Sequence, residues 1–268
     1  MNINEIKDIN ISTSNNPKRN QGQTIKQLHL AGDHYKMGQQ HGRQVRALRP
    51  KIMAAIDDRL ITLSKVQFDI QSTIEEISET WEIKTRPTMD MLRGIADSLS
   101  LNWDNYFHYT IAPFILDRNK YPHKHNQGCT TWAAAAPVTR QSTPILAKNR
   151  DYQPNHHELQ CLAWSSPAHG YRHTYLTSAG SPGVFSSGMN EVGLAVADTY
   201  VSSCDIGPGL PRYTVMMELL EHHDNVESAL NYLQNIQHTG NGTLTLLDSR
   251  GDMVVFETGY SNFGVVHP

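Results

Sequence analysis

The chain of 268 residues contains only three cysteines, at positions 129, 161 and 204. The number is odd and no C-x-x-C spacing occurs, which argues against a disulfide framework and against a zinc site. Long hydrophobic runs are missing too: no window approaches the roughly 18 apolar residues that span a bilayer. The first 24 residues, "MNINEIKDINISTSNNPKRNQGQT", have neither an apolar core nor a small-residue cleavage site, so they read as a disordered leader and not as a secretory signal. Excess charge of one sign is also lacking. With 23 Lys and Arg against 26 Asp and Glu, the formal net charge is −3, which gives no electrostatic footprint for nucleic acid or an anionic membrane. The 14 histidines are scattered without a carboxylate pattern, so neither a metal nor a cofactor is expected. Cytoplasm is the default expectation. What remains is a composition ordinary for a globular protein of one large domain or two interleaved segments.

Two textures divide the chain. "IKQLHLAG" (25–32) reads as a short strand, and apolar spacing such as Ile52, Ile56, Leu60 and Leu63 predicts that 34–116 is mostly helical. Pro50 and Pro87 stand where helices start. After Gly128 come short runs rich in Thr, Val and aromatics, bounded by Gly, Pro, Asn or Asp: "CTTWAAAAPV", "TPILAKN", "CLAWSS", "HTYLTSAG", "GLAVADTYV", "GTLTLLD" and "DMVVFETG". These read as strands. Two amphipathic helices, "PRYTVMMELLEHH" and "NVESALNYLQNI", interrupt them, with Pro211 expected at the first helical position. "LLDSRGDMVVFE" reads as a hairpin turning at Ser249–Asp252, and Asn190 with Gly193 as another. The pattern points to a layered α/β or α+β domain. "SNFGVVHP" follows the last of these strands without a capping element, which suggests a final sheet short of strands.

Cys129 opens the first strand after the change of texture, directly behind a glycine. A buried thiol is an ordinary core filler. It is also a nucleophile once deprotonated, and its usual pKa near 8.5 calls for an activating base. A histidine is one such base. The α-amino group of Cys129 itself is another, titrating at about 7.7–8.0, and it exists only if the Gly128–Cys129 bond is cut.

"GCTTWAA" followed by "ILAKNRDY" (145–152) resembles the autoprocessing N-terminal-nucleophile hydrolases, nearest to the isopenicillin-N acyltransferase-like branch. Bile salt hydrolase, penicillin V acylase and acid ceramidase are more distant relatives. "LAGDHYKMGQQHG" (30–42) is similar to that branch's first strand and Gly-x-x-His-Gly helix, and "SGMNEVGLAVADTY" (187–200) to the relatives' Gly-Met-Asn-Glu-x-Gly-Leu hairpin. The resemblance implies a four-layer αββα sandwich of α+β class. It implies a mainly helical segment at 25–128 and a nucleophile segment at 129–268, with cleavage between Gly128 and Cys129. Carried over position by position, Cys129 is the nucleophile and Asp151 holds its α-amino group. Lys148 stands where relatives often carry arginine. Tyr200 and Asn241 are candidate oxyanion donors, with Thr243 the alternative to Asn241 should the alignment shift by two. Thr131 is placed to orient the thiol or assist processing.

Plainer roles stand beside these. Asp151 could be a turn residue, Lys148 a solvated strand end, Tyr200 a half-buried strand aromatic and Met216–Met217 a core stripe. The resemblance implies an amide- or thioester-directed hydrolase or acyltransferase for small N-acyl compounds, and the apolar faces of the amphipathic helices imply that the two processed chains stay associated. The competing expectations are an unprocessed binding or scaffold protein and a papain-type protease, whose local signature around the cysteine is absent.

Overall fold

The computed structural model describes residues 25–66, 70–118, 128–151 and 154–267; the leader expected at 1–24 lies outside them. Strand β1 (Lys26–Gly32) leads into five helices: α1 (His34–Gln44), α2 (Arg49–Leu63), α3 (Gln71–Lys84), α4 (Arg86–Leu99) and α5 (Trp103–Arg118). Asp33 caps α1, its carboxylate accepting from the Lys36 N–H at 2.8 Å, which satisfies one of the unpaired amides of the first turn. Pro50 and Pro87 occupy the first turns of α2 and α4, where the missing N–H costs nothing.

Helices α1 and α4 cross at glycines. A Cβ on Gly38 would lie 2.3 Å from the Met91 carbonyl oxygen, and one on Gly94 would lie 2.2 Å from that of Tyr35. Only bare backbone permits the approach. Trp81 of α3 is fully buried, edge-on to Phe107, Phe114 and Tyr213 with centroids 5.8–6.1 Å away. Its indole N–H donates to the Gly209 carbonyl at 2.9 Å, so a large apolar group is buried with its one polar atom satisfied.

The second half supplies β2 (Thr130–Ala134), β3 (Ile145–Asn149), β4 (Gln160–Pro167), β5 (His173–Ser178), β6 (Ser187–Asn190), β7 (Ala195–Thr199), α6 (Arg212–His222), α7 (Val226–Gln234), β8 (Thr243–Leu247), β9 (Met253–Glu257) and β10 (Gly264–Val266). Pro211 is not the first helical residue. It sits one position earlier with φ −72° and ψ 150°, extended backbone that turns the chain into the helix.

The large sheet runs β1-β4-β5-β6-β7-β8-β9-β10, and β2 pairs with β3 in a separate two-stranded sheet. β1 lies parallel to β4 over the register Lys26↔Cys161 to Gly32↔Pro167, while the remaining neighbours are antiparallel. A strand from the helical half is therefore an edge of the sheet built by the other half. The segment "SNFGVVHP" contributes β10, paired with β9.

Strand alternation assigns the two faces of the large sheet. Val196, Leu244, Leu246 and Phe256 are buried on the side of α6 and α7. Ala197, Thr199 and Thr245 face the small sheet, where the Thr131 hydroxyl lies 3.1 Å from those of Thr199 and Thr245. Helices, an eight-stranded sheet and a two-stranded sheet thus stack as the α, β and β layers of the expected αββα arrangement, an α+β fold as read from the sequence; the outer helical layer is not among the described residues. Trp132 and Ile145 are exposed on the small sheet. No helix among the described residues is long and apolar enough to cross a membrane.

Candidate active site

At the end of the large sheet, the chain leaves β7 at Thr199 and enters β8 at Thr243. Tyr200 follows the first strand and Asn241 precedes the second. Asn241 is buried and left-handed, with φ 56°, between Gly240 at φ 105° and Gly242 at φ 118°. Asparagine tolerates that region better than most side chains. Its neighbours need glycine for space as well, since a Cβ would lie 2.2 Å from the Asp205 carbonyl oxygen at Gly240 and 2.5 Å from that of Thr199 at Gly242. The "GNG" triplet turns one amide side chain into the protein.

That amide is held at both ends. Arg212, the first residue of α6, donates to Asn241 Oδ1, which leaves Nδ2 to donate to the Asp117 carboxylate. Tyr200 Oη donates to the other Asp117 oxygen at 2.7 Å. Arg212 also pairs with Asp198 at 3.3 Å and lies over the Tyr200 ring, 6.0 Å from its centroid. Lys148 Nζ donates to Asp198 Oδ1 at 3.1 Å and to the Asp198 carbonyl. Lys148 is only 4% exposed and Asp198 15%. Two cations and two carboxylates therefore meet in a mostly buried network, the balance that burying charge requires. Burial, then the hydrogen bond to Asp117, pushes the Tyr200 phenol well above its usual range, so the hydroxyl keeps its proton as a donor.

Beside the network lies a pocket of about 110 Å³, lined by Tyr109, Phe114, Phe185, Tyr200, Tyr213 and Arg59 among others. The turn at Gly180, where φ is 80°, also lines it. The Gly180 N–H donates to His41 Nε2 at 2.9 Å, and its carbonyl accepts from Tyr106 Oη at 2.7 Å. His41 belongs to the "GQQHG" stretch of α1. Burial lowers its pKa to about 4, which keeps the ring neutral and able to accept.

The sequence-derived site residues divide into two groups. Lys148, Tyr200 and Asn241 are joined through Asp198, Arg212 and Asp117, and Thr131 sits across from Thr199 and Thr245. Thr243, the alternative to Asn241, is the first residue of β8, paired with Thr199 and Glu257. Cys129 is half-buried next to β2, directly after the exposed Gly128, and makes no hydrogen bond among the described residues. Asp151 is exposed just after β3 and is likewise not hydrogen-bonded to Cys129. Of the other thiols, Cys204 is exposed, whereas Cys161 is buried, which pushes its pKa to about 11. No group of three or more His, Cys, Asp or Glu among the described residues could hold a metal ion.

Asp117, Asp198 and Arg212 escaped the sequence reading, although each leaves a signal. Asp198 is a carboxylate inside an apolar strand. Asp117 is an acid in the last turn of a helix and Arg212 a base in the first, both opposed to the helix dipole.

Residues 138–263 match the family model of acyl-coenzyme A:6-aminopenicillanic acid acyl-transferase. The family likeness read in the motifs holds over this segment. Lys148, Asp151, Tyr200 and Asn241 lie inside the acyl-transferase-like segment, and Cys129 and Thr131 precede it. No curated protein matches the chain. Among solved structures, penicillin V acylase from Agrobacterium tumefaciens is 17% identical, with a TM-score of 0.30 over 53% of this chain and 41% of its own. A variant of conjugated bile acid hydrolase from Clostridium perfringens is 17% identical, with a TM-score of 0.30 over 55% of this chain and 44% of its own. The chain thus spans less than half the length of either.

Proposed function

We propose that this chain is the precursor of an N-terminal-nucleophile amide hydrolase or acyltransferase, and that it cuts itself between Gly128 and Cys129. In the first step Cys129 Sγ adds to the Gly128 carbonyl carbon. Collapse breaks the C–N bond, transfers the acyl group to sulfur and leaves a free α-amino group on Cys129. Water then hydrolyses the thioester, releasing Gly128 as a carboxylate and restoring the thiol. In the mature site that amine takes the thiol proton, and Asp151 steadies its charged form. The thiolate attacks the carbonyl of a small N-acyl compound or acyl thioester, and collapse of the tetrahedral adduct expels the amine or thiol, which takes the proton held by the α-amino group. Tyr200 Oη and Asn241 Nδ2 are the side-chain donors for the oxyanion, and the acyl group passes from sulfur to water or an amine.

One observation carries the reading: Tyr200 and Asn241, the candidate oxyanion donors implied by the family resemblance, both line an aromatic pocket and both donate to a single carboxylate, that of Asp117. Donors converging on one negative group are what acyl transfer requires. The acyl-transferase family match over 138–263 supports the same class. For a papain-type protease the local signature around the cysteine is missing from "HNQGCTTWAA".

On this reading the processed pieces, 1–128 and 129–268, stay together. β1 remains hydrogen-bonded along β4, and Trp81 remains seated against Tyr213 and Gly209. Intact mass on a denaturing gel tests the proposal: processing yields chains of 128 and 140 residues (268 − 128), co-eluting under native conditions. Cys129→Ala is expected to leave one uncut chain without acyl release from a panel of N-acyl amino acids, penicillins and conjugated bile salts. Cleavage that persists in Cys129→Ala refutes autocatalysis. A wild-type chain that stays whole and inert points to the binding or scaffold alternative.

A further inference from the structure

The Asp117 carboxylate is 3% exposed and lies in the last turn of α5, where the unpaired carbonyls of the helix make a negative charge unfavourable. Burying it is costly in its own right. Against those costs it accepts from Tyr200 Oη on one oxygen and from Asn241 Nδ2 on the other. Arg212 on Asn241 Oδ1 fixes the amide so that its donor end faces the carboxylate. A carboxylate oxygen carries partial negative charge, like the oxyanion of a tetrahedral intermediate, and charge-assisted hydrogen bonds to it are about twice as strong as neutral ones. Both donors are therefore committed to an internal anion supplied by the helical half, eleven residues before Gly128 (128 − 117).

We infer that Asp117 is a tethered competitor for the oxyanion site: its carboxylate holds Tyr200 and Asn241 and must give way before either donor serves an acyl substrate. The inference rests on the reading of those two side chains as oxyanion donors and adds a brake on them. An oxyanion cannot form beside the seated carboxylate, because two negative charges within a few ångströms repel and the donors are already engaged. Withdrawal of the end of α5 frees both donors at once. The brake is thus released by movement of the helical half, whose α5 ends ten positions before Gly128 along the chain (128 − 118).

The test compares kcat/KM for acyl release by the full-length wild type and Asp117→Asn, with the cleavage state of each preparation matched by intact mass. Asparagine keeps the shape and removes the charge, so kcat/KM is expected to rise about tenfold or more, a barrier change of about 1.4 kcal/mol. A fall, or no change, overturns the proposal, because a carboxylate that only supported the donors would be missed when lost. A second arm does not depend on turnover. Asp117→Ala leaves a gap facing the same two donors, and acetate is the probe. Titration followed by the Asn241 side-chain amide resonance should show acetate binding to Asp117→Ala and none to wild type. Failure of a folded Asp117→Ala protein to bind acetate overturns the proposal. If that variant does not fold, as judged by circular dichroism, Asp117→Asn is titrated with acetate and must bind it more tightly than wild type. Should no form release any acyl group, the hydrolase reading fails by itself and the acetate titration alone decides whether Asp117 occupies an anion site.

Discussion

His41 offers a quantitative check on how the helical half shapes the pocket. Its ring is fully buried, and its Nε2 accepts the Gly180 N–H at 2.9 Å, so the proton of the neutral ring sits on Nδ1. Adding a second proton removes the acceptor and places an unpaired charge in the core. The folded protein therefore resists protonation until the pH nears 4, whereas the ordinary value for an unfolded imidazole is 6.5. Because the folded pKa lies below the unfolded one, the unfolded chain binds the extra proton across that window. The stability linked to His41 is fully present above about pH 6.5 and is lost as the pH falls toward 4. At 1.36 kcal/mol per pH unit for one linked proton, the loss between about pH 6.5 and 4.5 is about 2 kcal/mol. Burial and two arginines also lower His156 to about 4, with the same sign, so the informative quantity is a difference between variants. His41→Gln keeps an acceptor for Gly180 and removes the titration. Urea unfolding at several pH values should show the wild type losing about 2 kcal/mol more than His41→Gln over that range. Parallel pH dependences for the two proteins would refute the assignment of His41 as a buried neutral acceptor.

Three further outcomes follow from the packing and the site. Gly94→Ala should lower stability by about 1–3 kcal/mol in thermal unfolding, the usual cost of overpacking, because its Cβ would meet the Tyr35 carbonyl. Trp81→Ala should cost about 3–5 kcal/mol and weaken the hold of the helical half on processed protein, read as partial separation in size exclusion. Asp151→Asn, at an exposed position, should leave unfolding within about 0.5 kcal/mol of wild type, while reducing acyl release and lowering the apparent pKa of the pH–rate profile, since its carboxylate favours the protonated amine. An unchanged profile would remove Asp151 from the proposed mechanism.

The element order was legible because its signals are local. Periodic apolar residues marked α2, prolines marked the starts of α2 and α4, and short Thr- and Val-rich runs between turn residues marked the strands. Pro211 was misplaced by one residue because an extended approach and a first helical turn suit proline equally well. The parallel pairing of β1 with β4 left no comparable trace, since its partners lie more than 130 positions apart and nothing in "IKQLHLAG" names "CLAWSS". Asp117, Asp198 and Arg212 were missed for a related reason. Each opposes its local setting, and only its partner from another element makes that setting tolerable.

By itself, then, the sequence determined the two-part α+β organisation, the glycine-flanked Cys129 ahead of a strand, and the family likeness carried by ordered motifs. These depend on neighbours a few residues away, whose propensities and spacing are written along the chain. Tertiary structure alone decided that a strand from the helical half edges the large sheet, that His41 and Tyr106 hold the pocket wall, and that Asp117 sits on the two candidate oxyanion donors. Those facts depend on which buried charges and amides can satisfy one another across the core, and that pairing exists only after distant segments have been brought into contact.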